Sequence, residues 1–251
     1  MTKLTRQFTA LLTPQLWQRF DFLRNMGWTQ LIQHETYLEL RGQQLIQTLQ
    51  MASNGLSVRR LLDNYFLLYD QYDEDSLTTI EAGLFDLVAN EYESIIDIKN
   101  NISNIEALLR MLHRSGTILD YGCGTGLSIE PASAIGVDIV GFDRSDGMLA
   151  VARGRGLSVV SFADLRLQGR RSYDGVIASY VLHLKESHAD LPLVADLVRP
   201  SGRIAANFHK GIGLAEVNDT LTECGLIRIP LVTAGTAMHS TSYGVWERAD
   251  E

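Results

Sequence analysis

Three glycines and three carboxylates in the second half of this 251-residue chain carry the chemistry that its sequence offers. In Thr117–Gly126, TILDYGCGTG, an apolar run meets Asp120 and then breaks into Gly122, Gly124 and Gly126. Glycines at this spacing let the backbone turn tightly and approach a ligand with no Cβ in the way. Asp143 closes the next apolar run, IVGFD, and Asp164 closes a third, in SFAD. A strand, a glycine turn and an opening helix make a nucleotide-type site at the carboxyl edge of a parallel sheet.

The spacing selects among nucleotides. A dinucleotide turn reads G-x-G-x-x-G, and the third glycine would fall on Leu127. A pyrophosphate also has no use for a carboxylate two residues before the turn. A sulfonium or an ammonium does, because Asp120 balances its charge. At the end of a second strand, Asp143 can accept both hydroxyls of a ribose. His209, in NFHKG at the end of a fifth strand, could take a proton from an acceptor hydroxyl.

The elements that must hold these residues follow from periodicity. From Thr117 onward short β-branched runs alternate with helical stretches, which predicts a parallel sheet covered on both faces. Strands are expected at Thr117–Tyr121, Val137–Phe142, Leu157–Phe162, Tyr173–Ser179, Arg203–Phe208, Leu226–Val232 and Ser242–Arg248. Helices are expected at Gly126–Ala134, Ser145–Gly154, Ser187–Val198 and Gly213–Cys224. Upstream, apolar residues three and four apart predict helices over Gln15–Leu23, Trp28–Met51, Val58–Tyr72, Leu77–Ile96 and Ile102–His113. The chain thus divides into an all-helical extension, 1–75, and an α/β domain, 76–251.

The acidic residue followed by G-x-G-x-G resembles motif I of the class I S-adenosylmethionine-dependent methyltransferases. The likeness runs from about Phe85 to Arg248 and implies a seven-stranded Rossmann-like sheet of order 3-2-1-4-5-7-6, with the last strand antiparallel. It implies S-adenosylmethionine as cofactor, S-adenosylhomocysteine as product, and no metal. FDLVANEYESI is similar to a stretch that precedes motif I in many small-molecule members, which makes Tyr92 a contact to the cofactor's amino-acid end. The family's usual aspartate is Glu93 here.

The same likeness gives Asp164 the adenine amino group and the backbone of Leu165 a ring nitrogen. It adds Cys123 within the turn and Arg144 after Asp143. It sets Ser179 and Tyr180, in ASYVLH, beside the methionine portion, and makes His183 a second candidate base. The segment lacks the N/D-P-P-Y/F signature with which amino-methylating nucleic-acid enzymes hold a flipped base.

Composition narrows the partners. A net charge of −8 gives no basic footprint for nucleic acid. No apolar run approaches the ~18 residues of a membrane span. Cys123 and Cys224 lack metal-ligand spacing and fit reduced thiols in a cytoplasmic protein. The expected acceptor is a small molecule of secondary metabolism, methylated on oxygen, nitrogen or carbon. A protein acceptor, or a cofactor-binding protein without turnover, remains open. The N-terminal stripes suggest a lid, an acceptor pocket or a homodimer through those helices.

Overall fold

A computed structural model describes residues 8–24, 28–42, 56–62, 65–70, 74–112, 116–182, 184–231 and 241–250. The chain forms two compact units, Met1–Val88 and Ala89–Glu251.

The first unit holds a five-stranded sheet, where an all-helical extension was expected. Its strands are β1 (Phe8–Leu12), β2 (Gln30–Gln33), β3 (Leu38–Gly42), β4 (Leu56–Leu62) and β5 (Tyr65–Asp70), in the order β2-β3-β1-β5-β4. β1 lies at the centre, antiparallel to β3 and parallel to β5. Residues two apart, such as Ala10 and Leu12, Leu38 and Leu40, or Phe66 and Leu68, meet Leu16, Phe20 and Leu23 in one core. The opposite face of β1 and β5 presents the fully buried Leu11 and Leu67 and packs on the helix Glu74–Val88. Strands buried on both faces read as unbroken apolar runs, which periodicity alone does not separate from helices. The helices expected over Trp28–Met51 and Val58–Tyr72 are therefore corrected to strands within the described residues. Residues 43–55 and 71–73 lie outside those residues. Gln15–Leu23 stays helical, as Pro14–Arg19 and Asp21–Arg24. The expected division at 75 also moves, because the helix Glu74–Val88 belongs with the first sheet. Part of the stripe that suggests a homodimer, over residues 43–51, lies outside the described residues.

The second unit is a doubly wound α/β domain with seven strands. They are β6 (Thr117–Tyr121), β7 (Asp138–Phe142), β8 (Ser158–Val159), β9 (Tyr173–Ser179), β10 (Val198–His209), β11 (Leu226–Arg228) and β12 (Thr241–Arg248). Their order is β11-β12-β10-β9-β6-β7-β8, and β12 runs antiparallel to both neighbours. The helix Ile98–Leu112 covers one face, seating Ile105, Leu108, Leu109 and Leu112 on Ile118, Ile177, Ala205 and Val245. On the other face, Leu191–Leu197 and Leu214–Glu223 pack over Leu119, Val176, Ile204 and Phe208.

Local chemistry explains the shifted boundaries. The expected third strand, Leu157–Phe162, shortens because Ser161 caps a helix at Phe162–Leu167, with Asp164 completing a capping box. Pro192 opens Leu191–Leu197 and separates it from Lys185–His188. β10 starts earlier than the expected Arg203, with a register shift between Val198 and Arg203 and Ser201 in a left-handed conformation.

Candidate functional site

The glycine turn joins β6 to the helix Ile129–Ala134 at the carboxyl edge of the sheet. The amides of Gly122 and Cys123 both donate to the Phe142 carbonyl, at 2.7 and 2.9 Å, so the turn hangs from the end of β7. Gly122 has φ 78°, and a Cβ there would stand 2.7 Å from a methyl of Val181. Gly124 has φ 51° and faces open space, where a Cβ would meet only Tyr92, at 4.0 Å. Gly122 makes room for the protein itself and Gly124 makes room for something else. The helix begins at Ile129, later than the expected Gly126, because Thr125 to Ser128 continue the turn.

Two carboxylates belong to this turn. Asp143 accepts the Gly124 amide at 2.9 Å through one oxygen and the Ser145 amide at 2.9 Å through the other. Asp120 is buried beneath the turn. Desolvation raises its pKa from 3.8 to about 7, the Ser128 hydroxyl pulls it back, and the Asp143 charge pushes it further up. Burial, then Asp120 and Asp143, likewise drive the Cys123 thiol up, so it is a packed thiol and no nucleophile. The Tyr92 phenol is raised by burial and then by the Asp143 charge. Neighbouring Glu93 accepts from the Thr125 hydroxyl at 2.8 Å and pairs with Arg155.

The segment after β9 borders the turn from the other side. Tyr180 is left-handed, at φ 55°. Its amide donates to Asn207 Oδ1 at 2.6 Å, and its phenol bonds Thr241 Oγ1 at 2.8 Å and Asn104 Nδ2 at 3.2 Å. The Tyr243 hydroxyl closes the group by donating to Asn104 Oδ1. Asn104, Asn207 and Thr241 escape a motif search, because they come from a helix and two strands far apart in sequence. An asparagine in the apolar run IAANF was the available signal, since asparagine is depleted from strands. His209 is exposed at the end of β10. His183 lies outside the described residues.

Comparison with known proteins accords with this geometry. Residues 93–208 match the family described as a methyltransferase domain. A ubiquinone biosynthesis O-methyltransferase from Dinoroseobacter shibae is 34% identical over 93 residues, covering 34% of this chain and 38% of that protein. A demethylmenaquinone methyltransferase from Corynebacterium kroppenstedtii is 30% identical over 134 residues, covering 49% and 57%. The chain thus spans between about a third and three fifths of these curated relatives. Among solved structures, an S-adenosylmethionine-dependent methyltransferase from Thermotoga maritima shares the fold at TM-score 0.53 and 15% identity, over 67% of this chain and 99% of that one. The family match falls wholly inside the second unit, whose fold is the one found in S-adenosylmethionine-dependent methyltransferases.

Within this unit, two expected contacts point elsewhere. The Arg144 guanidinium pairs with the buried Asp190 at 2.6 Å and lies over the Phe162 ring at 5.1 Å. Asp190 also accepts the Tyr121 hydroxyl at 2.6 Å, so Arg144 closes a structural cluster. The Leu165 amide donates to the Ser161 carbonyl at 2.9 Å and its side chain is fully buried, so a ring nitrogen would have to displace a helical bond. Asp164 is exposed, and one of its oxygens accepts from the Ser161 hydroxyl at 2.7 Å while the other is left to solvent-facing ligands. Among the described residues, no cluster of histidine, cysteine and carboxylate side chains is arranged to hold a metal, and no helix is long and apolar enough to cross a membrane.

Proposed function

We propose that this domain transfers a methyl group from S-adenosylmethionine to a small-molecule acceptor. The observation that carries the reading is the open space over Gly124, where a Cβ would meet only Tyr92, at 4.0 Å, beside an amide held by the Asp143 carboxylate. A side chain at 124 would fill it, so the chain keeps this space clear for a ligand.

Gly122, Cys123, Gly124 and Gly126 would hold the cofactor along the turn, with Asp143 on its ribose. Asp120 would balance its positive charge, and Tyr92, Ser179 and Tyr180 would line its amino-acid end. Asp164 would take the exocyclic amine of the base. When bound, the group supplies an electrophilic methyl that an acceptor can displace in line. The protein's part is alignment and exclusion of water, which lowers the barrier by pre-ordering the reactants. For a hydroxyl acceptor, His209 receives the departing proton on a ring nitrogen, and an unprotonated amine needs no base. Relatives named for ubiquinone biosynthesis and for demethylmenaquinone support a biosynthetic acceptor carrying an oxygenated ring.

Calorimetric titration with S-adenosylmethionine, beside Asp143→Ala and with NADH as control, tests the cofactor assignment. Saturable binding that the substitution weakens and NADH does not reproduce is expected. Equal binding by the variant would remove Asp143 from the site. Extracts incubated with the protein and labelled cofactor would then reveal the acceptor by its gain of one methyl group.

A further inference from the structure

We propose that Asn207 is a positioning residue for the cofactor turn, acting through the Tyr180 backbone to seat Val181 beneath Gly122. This rests on the cofactor role proposed above for the turn. Asn207 is fully buried on β10, in register with Ser179 on β9 and Tyr243 on β12. Its Oδ1 accepts the Tyr180 amide at 2.6 Å, which also fixes which way the side-chain amide faces. Tyr180 sits in the left-handed region, a conformation disfavoured for any residue with a Cβ and retained only where the surroundings over-determine it. Here the surroundings do so at both ends: Asn207 holds the amide, while Thr241 and Asn104 hold the phenol.

The bend sets the position of the next residue. Val181 fills the space that a Cβ on Gly122 would need, with its methyl 2.7 Å from that point. The Gly122 amide in turn hangs on the Phe142 carbonyl at the mouth of the site. Contact therefore runs unbroken from β10 through Tyr180 and Val181 to the glycine turn.

The cost of asparagine at this position supports a role beyond packing. Among the described residues its Nδ2 has no partner, and neither has the buried hydroxyl of Ser179 alongside it in the ladder. A buried donor left unmade is destabilising, and an apolar residue would spare the fold that penalty. What an apolar residue cannot provide is the acceptor for the Tyr180 amide.

Amide hydrogen exchange on the full chain without ligand tests the proposal, together with S-adenosylmethionine titration of the same samples. Asn207→Ala is expected to speed exchange at Tyr180, Gly122 and Cys123 at least tenfold while Val176 and Ile204 keep their protection. Its cofactor affinity is expected to fall about tenfold. Asn207→Asp, which keeps an oxygen facing Tyr180, should restore protection of the turn. Unchanged exchange at Gly122 and Cys123 would overturn the proposal. So would uniform loss of protection across β9 and β10, or an aspartate variant indistinguishable from alanine. Should Asn207→Ala not fold, Asn207→Ser carries the same test, its hydroxyl being too short to reach. If the native chain binds no S-adenosylmethionine, the cofactor assignment fails and the exchange data still decide the role of Asn207.

Discussion

The amide of Gly124 reaches the carboxylate of Asp143 at 2.9 Å, tying the turn after β6 to the end of β7. One side chain thereby fixes the turn against the neighbouring strand. Hydrogen bonds to charged groups contribute about 1.5–3 kcal/mol, so Asp143→Ala should weaken S-adenosylmethionine binding roughly 10- to 100-fold. Thermal melts should show a parallel loss of stability, since the Gly124 and Ser145 amides lose their acceptor. Calorimetry and melting on the same protein would check both effects.

Alanine at the two neighbouring glycines should separate folding from binding. Gly122→Ala forces a Cβ onto Val181 and should destabilise the domain by roughly 1–3 kcal/mol or more. Gly124→Ala has room and meets only the left-handed strain, about 1–2 kcal/mol. It should fold, with cofactor binding lost because the methyl occupies the open space. A Gly124→Ala protein with native affinity would show that the ligand lies elsewhere.

Asp120 should impose a pH dependence of definite sign. Its carboxyl titrates near 3.8 when unfolded and near 7 in the fold. Between these values the native state holds a proton that the unfolded state has released, so stability falls as pH rises from about 4 to 7 and levels off above. The loss is on the order of a few kcal/mol. Asp120→Asn should flatten this slope in chemical denaturation. Affinity for a cationic cofactor should run the other way, rising towards pH 8 as the carboxyl ionises. Calorimetry near pH 6 in buffers of different ionisation enthalpy should detect proton release on binding.

Arg144→Ala should act on stability and spare binding. It leaves Asp190 with the Tyr121 hydroxyl alone, and losing a partly exposed partner of a buried carboxylate costs about 1–3 kcal/mol. A cofactor affinity within about twofold of native is expected by titration. A larger drop would return Arg144 to the ligand.

His209→Gln should leave cofactor affinity unchanged, because the side chain is exposed at the rim of β10. With a hydroxyl acceptor, turnover should fall by about 10²–10⁴, the usual contribution of a positioned base. An amine acceptor would show no such fall.

Much of the second unit was legible because its signals are local. Glycines, strand-ending carboxylates and β-branched runs all act over a few residues, so the turn at Gly122 and Gly124 and the strand ends at Asp120 and Asp143 could be read from the chain. Asp164 and Leu165 show where that reading was too coarse: S-x-x-D is also a capping box, and the helix it starts uses the Leu165 amide. The network around Tyr180 was invisible because Asn104, Asn207 and Thr241 meet only when strands and helix assemble. The first sheet was misread for a different reason. Burial on both faces erases the alternation that marks a strand, and Leu11 and Leu67 look the same in either setting.

The centre of that first sheet is also the earliest part of it to be made. β1 needs β3 on one side and β5 on the other, and β5 ends at Asp70. A nascent chain therefore carries the apolar segment Ala10–Leu12 past the ribosome exit well before its second neighbour exists. Closure must await a loop of some fifty residues, and such long-range pairing is slow. During that interval the unpaired strand is a target for chaperones and for the wrong partner strand.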